Sequence, residues 1–400
     1  MMTYTPDGRS RRPSKWSRAA VLLIAGVTAI GTVGCTTVAK ATTTTSATEP
    51  SGSAAPVGPG GGSFGPDPAA DAAIRKIVNG RTITIGFAPP ILSEWYQQVQ
   101  KSAWNTMKDY SDRFGVKWTW ERQGANDAHS GSSITDTIQG FVARKVDVMF
   151  VCSAAKPATN QALYKTAAAQ GVDTYQFNEP VEITNPNQNT DPTAGLANVS
   201  NIGYDNRWQS GFVAGQYIAQ KLKNKGTVIA ITGPSGSDWT TLRLQGFRQA
   251  IANYPGLKIV AEASGDYVRD KGLAAAQALL TKYPHVDAIY GENEDMALGA
   301  SAAVSAASLK LWDGNSGIVV IGADGLVSGM KAIQAGTLTA TVDVNSVEIG
   351  RQLIETAFAH QVLKQNVPVF EDVSTAVVDA SNVDWHLANL QGTMAGPGSY

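Results

Sequence analysis

The feature that most constrains the fold is a regular alternation of strand-like and helix-like segments from residue 82 to residue 378. Short apolar runs such as Thr82–Phe87, Asp147–Cys152 and Ala288–Gly291 alternate with longer amphipathic segments such as Glu94–Phe114. This alternation is typical of parallel sheets that carry helices on both faces. We therefore predict an α/β protein built on doubly wound parallel sheets, with Val373–Val378 as its last strand.

The length and composition favour a globular protein with two lobes. The chain has 400 residues, of which 43% are hydrophobic and 16% are charged. A chain of this length exceeds what one small core organises, so two lobes are expected. The formal net charge of −1 provides no electrostatic footprint for nucleic acid. Of the two cysteines, Cys152 lies in an apolar run and is predicted to be a buried thiol, so no disulfide framework is expected.

The first 35 residues are typical of an export signal. Basic residues precede Ala19–Val33, an apolar core that is short for a membrane span and suits a signal peptide. The core ends in Thr32-Val33-Gly34-Cys35, which resembles a bacterial lipobox. We therefore expect Cys35 to be lipidated and the protein to be extracytoplasmic, anchored to the bacterial cell membrane. The alternative is an ordinary secretory signal in which Cys35 is incidental.

Residues 36–74 are predicted to form a flexible linker. The segment is rich in Thr, Ser, Ala, Pro and Gly, with the runs Thr42–Thr45 and Gly60–Gly62. Such a composition cannot bury enough apolar surface to offset the entropy of ordering the chain. We expect this linker to tether the folded body to the anchor.

Polar and aromatic side chains follow several of the predicted strands. In parallel sheets, ligands bind beyond the carboxyl ends of the strands. That rule points to five segments: Ala88–Trp95, Asn178–Glu179, Gly233–Thr241, Glu292–Asn293 and Asp324. Asn293 is also suited to the N-cap of the helix that follows, because its side chain can accept a hydrogen bond from a free amide of the first turn.

Four motifs, in this order along the chain, resemble the type I periplasmic sugar-binding proteins, with the ribose-binding-protein-like branch nearest. They are Gly246-Phe247, Asp266–Gly272 (DYVRDKG), Glu292–Ala300 (ENEDMALGA) and Val320–Gly325 (VIGADG). The resemblance covers about residues 82 to 379. It implies two similar lobes, joined by three crossovers, that close around a sugar. The implied N-terminal lobe comprises residues 75–204 plus 345–372, and the C-terminal lobe comprises residues 205–344 plus 373–400.

The resemblance implies five ligand contacts in the N-terminal lobe: Ser93, Trp95, Tyr96, Asn178 and Glu179. Trp95 and Tyr96 match an aromatic pair, and the C–H face of a sugar would lie on such rings. Core packing of the two aromatic rings is the alternative, and Ser93 could instead cap the helix that follows. Asn178 and Glu179 stand where many relatives have Asp-Arg, so a forked hydrogen-bond donor is lost there.

The resemblance implies a second set of contacts in the C-terminal lobe and at the hinge: Trp239, Thr241, Tyr267, Asn293, Asp324 and Asn345. Thr241 replaces a common ligand-binding arginine, and Arg243 is expected to be its structural partner. Asn293 is expected to cap its helix and also to turn its amide toward a ligand hydroxyl. Asp324 could instead cap a short helix, and Asn345 lies one residue beyond a position where relatives often have Gln.

These residues predict a pocket that is rich in acceptors, with no arginine to offset Glu179 and Asp324. A ligand with many hydroxyl groups satisfies carboxylates without a counter-charge, whereas an anionic ligand would be repelled. We therefore expect a neutral polyhydroxylated ligand, either a monosaccharide or a sugar alcohol. The alternatives are a cationic ligand held through cation–π contact, or a nucleoside-like ligand.

The resemblance implies a monomeric solute-binding protein that delivers its ligand to an ABC transporter permease, without a cofactor. No enzyme activity or metal site is expected, because His129, His285, His360 and His386 share no metal-ligand spacing and no phosphate loop with Lys-Ser/Thr occurs. Repressors of the lactose type share this fold but need an N-terminal helix-turn-helix, where this chain has an export signal. A chemosensory or signalling receptor subunit stays open as the alternative to transport.

Overall fold

The computed structural model describes residues 68–123, 131–153, 160–178, 197–203 and 207–400. Its strands are β1 (Thr82–Ala88), β2 (Lys117–Arg122), β3 (Val148–Val151), β4 (Asp173–Phe177), β5 (Ser200–Gly203), β6 (Lys225–Thr232), β7 (Gly256–Ser264), β8 (Ala288–Gly291), β9 (Val319–Asp324), β10 (Ala340–Asp343), β11 (Phe370–Asp372) and β12 (Ala376–Asp379). Its helices are α1 (Pro68–Val78), α2 (Glu94–Phe114), α3 (Gly131–Arg144), α4 (Gln161–Ala169), α5 (Arg207–Lys221), α6 (Asp238–Ala252), α7 (Arg269–Lys282), α8 (Glu294–Ala306), α9 (Val327–Gln334), α10 (Ser346–Gln361) and α11 (Val383–Met394).

The described strands form two sheets. The first has the order β11-β5-β4-β3-β1-β2, and the second has the order β12-β10-β9-β8-β6-β7. Neighbouring strands are parallel, apart from the antiparallel pair of β10 and β12. Helices cover both faces of each sheet, so the predicted doubly wound α/β architecture is confirmed. We call each sheet, with the helices packed on it, the first lobe and the second lobe.

Each sheet lies between two apolar cores, because successive strand residues point to opposite faces. In β3, Phe150 joins the core formed with α2 and α10, whereas Met149 and Val151 join the core formed with α3 and α4. Burial on both faces explains why these strands are continuous apolar runs in the sequence. Cys152 is a buried free thiol, as predicted.

The chain passes from the first sheet to the second after β5, returns to form β11, and leaves again to form β12. The sequence predicted one strand over Val373–Val378, and this prediction is wrong. The structure has two short strands in different sheets, separated by residues 373–375. The apolar pattern does not mark the break, because Val373 in the connection is itself buried in the first-lobe core.

Two described helices were not predicted from the sequence. Helix α1 begins at Pro68, so the predicted linker is wrong over residues 68–74. Ile74 and Val78 lie one turn apart on α1 and pack on the first-lobe core, which the linker composition before them does not suggest. In α11, Val383, Leu387 and Leu390 form an apolar stripe against the second-lobe core.

Within the described ranges, no helix is both long and apolar enough to cross a membrane. In the same ranges, no group of three or more His, Cys, Asp and Glu side chains is arranged to hold a metal ion. The predicted signal, Cys35, Glu179 and the expected lobe boundary between residues 204 and 205 lie outside the described residues.

Candidate ligand-binding site

Asp324 lies at the carboxyl end of β9, in the second lobe, and is paired with a buried arginine. Arg243 Nη2, from α6, donates to Asp324 Oδ1 at 3.1 Å, and both side chains are largely buried. Burial raises the pKa of Asp324 to about 6, although the guanidinium acts in the opposite direction. The prediction that no arginine offsets Asp324 is therefore wrong. Arg243 comes from a different element, and its contact arises only when α6 packs beside β9.

Arg243 also joins Asp324 to the end of β8. Its second guanidinium nitrogen, Nη1, donates to the backbone carbonyl oxygen of Glu292. Because its side chain is buried and bonded to two strand ends, Arg243 fixes the position of the Asp324 carboxylate. The expectation that Arg243 is structural agrees with these contacts.

Asn293 is the N-cap of α8, as predicted. Its Oδ1 accepts a hydrogen bond from the Met296 amide at 2.9 Å, and its backbone is extended. Its amide nitrogen donates to the Tyr267 carbonyl oxygen at 3.3 Å, so one amide hydrogen is left for a ligand. The sequence also predicted that this amide would face a ligand hydroxyl, and the contact with Tyr267 reduces its capacity to do so.

Tyr267 is held in place by α6 and by the loop after β6. Its hydroxyl lies 3.0 Å from Thr240 Oγ1, and its backbone is left-handed with φ of 61°. A Cβ built on Gly233 would lie 2.3 Å from the Tyr267 ring, so this loop position accepts only glycine. The Tyr267 hydroxyl is thus engaged by Thr240, and its side chain packs against the second-lobe core.

Glu292 is a fully buried carboxyl group behind this loop. Its Oε2 accepts a hydrogen bond from the Gly233 amide at 2.7 Å. Burial raises the pKa of Glu292 to about 8, although the Gly233 amide and Arg243 act in the opposite direction. Glu292 directly follows β8 and lies in the predicted segment Glu292–Asn293, but it was not among the predicted ligand contacts. Its position at the carboxyl end of β8 is the sequence signal that could have identified it.

The α6 side chain that contacts Tyr267 is Thr240, whereas the sequence predicted its neighbour Thr241 as a ligand contact. Thr241 is exposed, and its hydroxyl donates to the Ser237 carbonyl oxygen at 2.9 Å. Adjacent helical residues point about 100° apart, so the choice between them depends on how α6 sits on the sheet. Trp239, also predicted, packs against the apolar core of the first lobe.

In the first lobe, Trp95 and Tyr96 meet edge to face, with ring centroids 4.9 Å apart. Both are buried in the first-lobe core, so the alternative of core packing holds for much of their surface. The Trp95 Nε1–H is buried and has no hydrogen-bond acceptor in the described part of the chain. Ser93 occupies the N-cap position of α2 but makes no capping bond through its side chain. The indole N–H of Trp95 and the Ser93 hydroxyl are therefore candidates for ligand contact.

Asn178 follows β4 and lies beside Tyr96. Its Nδ2 donates to the Tyr96 hydroxyl at 3.5 Å, and its backbone is left-handed with φ of 52°. The Tyr96 hydroxyl also lies 3.3 Å from Cys152 Sγ. The structure thus brings Trp95, Tyr96 and Asn178 together in the first lobe.

Asn345 lies at the hinge side of the site and is the N-cap of α10. Its Oδ1 accepts from the Glu348 amide at 3.2 Å, and its Nδ2 donates to the Ser374 carbonyl oxygen at 3.5 Å. Both polar ends of this side chain therefore contact the protein, which favours a structural role between α10 and the connection before β12.

A comparison with known families decides the relationship. The periplasmic binding protein domain model matches residues 85–365 of the chain. The chain belongs to this family. The resemblance to type I periplasmic sugar-binding proteins is thereby confirmed.

Individual relatives match parts of the chain. The ribose import binding protein RbsB of Escherichia coli K12 is 38% identical over 159 residues, which are 40% of this chain and 51% of that protein. The xylitol-binding protein of Mycolicibacterium smegmatis is 29% identical over 127 residues, which are 32% of this chain and 35% of that protein. The chain thus spans about half the length, or less, of these two relatives.

A solved structure extends the likeness to the whole fold. An ABC transporter periplasmic solute-binding protein from Actinobacillus succinogenes 130z, with bound D-allose, superimposes with a TM-score of 0.65. The match covers 76% of this chain and 99% of that chain, at 22% sequence identity. At this identity the likeness supports the type I fold alone.

Proposed function

We propose that this protein is an extracytoplasmic solute-binding protein that captures a neutral polyhydroxylated molecule and delivers it to an ABC importer. The observation that best supports a neutral ligand is the buried ion pair of Asp324 with Arg243. The carboxylate offers an acceptor for ligand hydroxyl groups, while its charge is offset inside the protein. A cationic ligand is therefore not required to balance it.

The neighbouring acidic groups support the same ligand class. Burial raises the pKa of Glu292 to about 8, so this group is largely protonated at neutral pH, and burial also raises the pKa of Glu294 well above its usual value. The charges of Asp324 and Arg243 offset each other within the second lobe. A binding surface whose charges are offset in this way favours a neutral ligand over an anion or a cation.

The first lobe supplies complementary groups. The unbonded indole N–H of Trp95 is a buried donor, and leaving a buried donor unsatisfied costs about 1–3 kcal/mol. A hydroxyl oxygen of a sugar or polyol would satisfy it, while the C–H face of such a ligand suits the aromatic rings. The relatives are named for ribose and xylitol, which belong to this chemical class.

A thermal-shift screen tests the ligand class. We expect purified protein to be stabilised by at least one monosaccharide or sugar alcohol, because a ligand that binds only the folded state raises the melting temperature by mass action. The panel includes D-ribose, D-allose, xylitol, nucleosides and amines. Stabilisation by amines alone would contradict the carbohydrate assignment, and stabilisation by nucleosides alone would favour a nucleoside-like ligand.

The proposed location at the membrane rests on Cys35, which lies outside the described residues. Two acyl chains on the mature N-terminal cysteine would give stable anchoring, whereas one chain gives marginal anchoring. We expect Cys35→Ser to yield a larger, unlipidated species whose processing globomycin no longer affects. Mass spectrometry of the mature protein is the measurement, and an unmodified mature N-terminus at another residue would refute the anchor.

A further inference from the structure

The first turn of α9 is capped by side chains that come from elsewhere in the chain. Its N-cap residue, Leu326, has no polar side chain and makes no capping bond. The first amides of a helix have no partner within the helix, so other groups must satisfy them. Within the second lobe, Glu294 Oε2 accepts a hydrogen bond from the Leu326 amide at 2.8 Å.

The next two amides of α9 are satisfied from the first lobe. The Val327 amide donates to Gln98 Oε1 at 3.2 Å, and the Ser328 amide donates to Glu94 Oε1 at 3.0 Å. Glu94 and Gln98 lie one turn apart on α2, so they project from the same side of that helix. A carboxylate at a helix N-terminus is also favoured by the helix dipole.

Gln98 is fully buried, and each end of its side-chain amide is bonded. Besides the bond to Val327, its Nε2 donates to the Gly325 carbonyl oxygen at 3.2 Å and to Ser346 Oγ at 2.9 Å. Two Gln98 partners, Gly325 and Val327, belong to the second lobe, as does Ser328, the partner of Glu94. If the lobes separate at this point, the bonds from Glu94 and Gln98 to α9 are lost and its first amides need water instead.

We propose that Glu94 and Gln98 form an interlobe clasp, in which two side chains of α2 cap α9 only while the lobes are together. The residues of the clasp are Glu94 and Gln98 on one side and Val327 and Ser328 on the other. The clasp shifts the balance between open and closed lobes without touching the ligand. The inference rests on the proposed function only in that capture of a ligand requires the lobes to move.

The clasp has a quantitative consequence for binding. A ligand that binds the closed state has an apparent affinity reduced by the fraction of molecules that are closed. Loss of one helix cap costs about 1 kcal/mol, which corresponds to about a fivefold change in an equilibrium constant. Removing the Glu94 carboxylate should therefore lower the closed population, relative to the open one, about fivefold.

The test uses unliganded protein, so its outcome does not depend on which ligand is correct. Hydrogen exchange at the Val327 and Ser328 amides is measured together with the radius of gyration by small-angle X-ray scattering. We expect Glu94→Ala to speed exchange at Ser328 about fivefold and to increase the radius of gyration. Glu94→Gln, which keeps an acceptor oxygen, should stay close to wild type.

Gln97→Ala is the matched control, because Gln97 is an exposed neighbour on α2 that bonds only locally, to the Leu92 carbonyl oxygen. It should leave both measurements unchanged. Faster exchange in Glu94→Ala with an unchanged radius of gyration would overturn the clasp, since the cap would then be local. Unchanged exchange would overturn it as well. If the proposed function is wrong, no sugar or polyol will raise the melting temperature. The hydrogen-exchange result for Glu94→Ala would be unaffected by that failure.

Discussion

Asp324→Ala is expected to weaken binding of the stabilising sugar or sugar alcohol by about thirtyfold or more. The carboxylate is a second-lobe acceptor held by a buried arginine, and removal of a central buried contact costs roughly 2 kcal/mol or more. Trp95→Ala should have an effect of similar size if its indole N–H bonds the ligand. Isothermal titration calorimetry with the ligand found in the screen is the measurement.

Two further variants separate ligand contact from loss of folding. Asp324→Ala leaves Arg243 buried without its partner, which is itself destabilising. Asp324→Asn keeps an oxygen for Arg243 and should lose affinity while staying folded, as judged by circular dichroism. Asp295→Ala, at a partly exposed carboxylate paired with Arg269 in the same lobe, should bind normally. Wild-type affinity in a folded Asp324→Asn variant would mean that the ligand does not use this carboxylate.

Glu292→Gln is expected to stabilise the protein increasingly as the pH rises from about 4.5 to about 8. Burial raises the pKa of Glu292 to about 8, so the folded state keeps a proton that the unfolded state has already lost. The stability that this proton contributes is complete below the unfolded pKa and is lost as the pH approaches 8. The loss amounts to about 5 kcal/mol for a shift of this size. Glutamine removes the titration while keeping an oxygen for the Gly233 amide.

Urea unfolding at several pH values is the measurement for this prediction. The difference in unfolding free energy between Glu292→Gln and wild type should grow with pH and level off above about 8. Glu121→Gln is the control, because that carboxylate is partly exposed and paired with Arg144 at the surface. Parallel pH profiles for wild type and Glu292→Gln would show that Glu292 is ionised in the folded protein at neutral pH.

The elements of the fold were largely predictable because their signals are local. Helix α2 begins at Glu94 and ends at Phe114, as the sequence pattern predicted. The Asn293 cap was predictable for the same reason, since a cap depends on residues within one turn. The split between β11 and β12 was not evident from the apolar pattern, although the lobe bounds implied by the resemblance change at residue 373. Which of two sheets a short apolar run joins depends on partners far along the chain.

The candidate site was likewise predictable from the sequence only in part. The strand-end positions of Asn178, Asn293 and Asp324 followed from the sequence, because parallel strands present their carboxyl ends at one edge of a sheet. The sequence did not show that Thr240, and not Thr241, contacts Tyr267, since this contact depends on the rotation of α6 about its axis.

By itself, the sequence determined the fold class, the helix caps and the strand ends that carry polar residues, because periodicity and capping act over a few residues. Only the tertiary structure decided the charge of the site. Arg243 lies 81 residues before Asp324, and their pairing depends on how α6 packs beside β9. The protonation of Glu292 was decided in the same way, because desolvation is set by the atoms that surround a group in space and not by its neighbours in the chain.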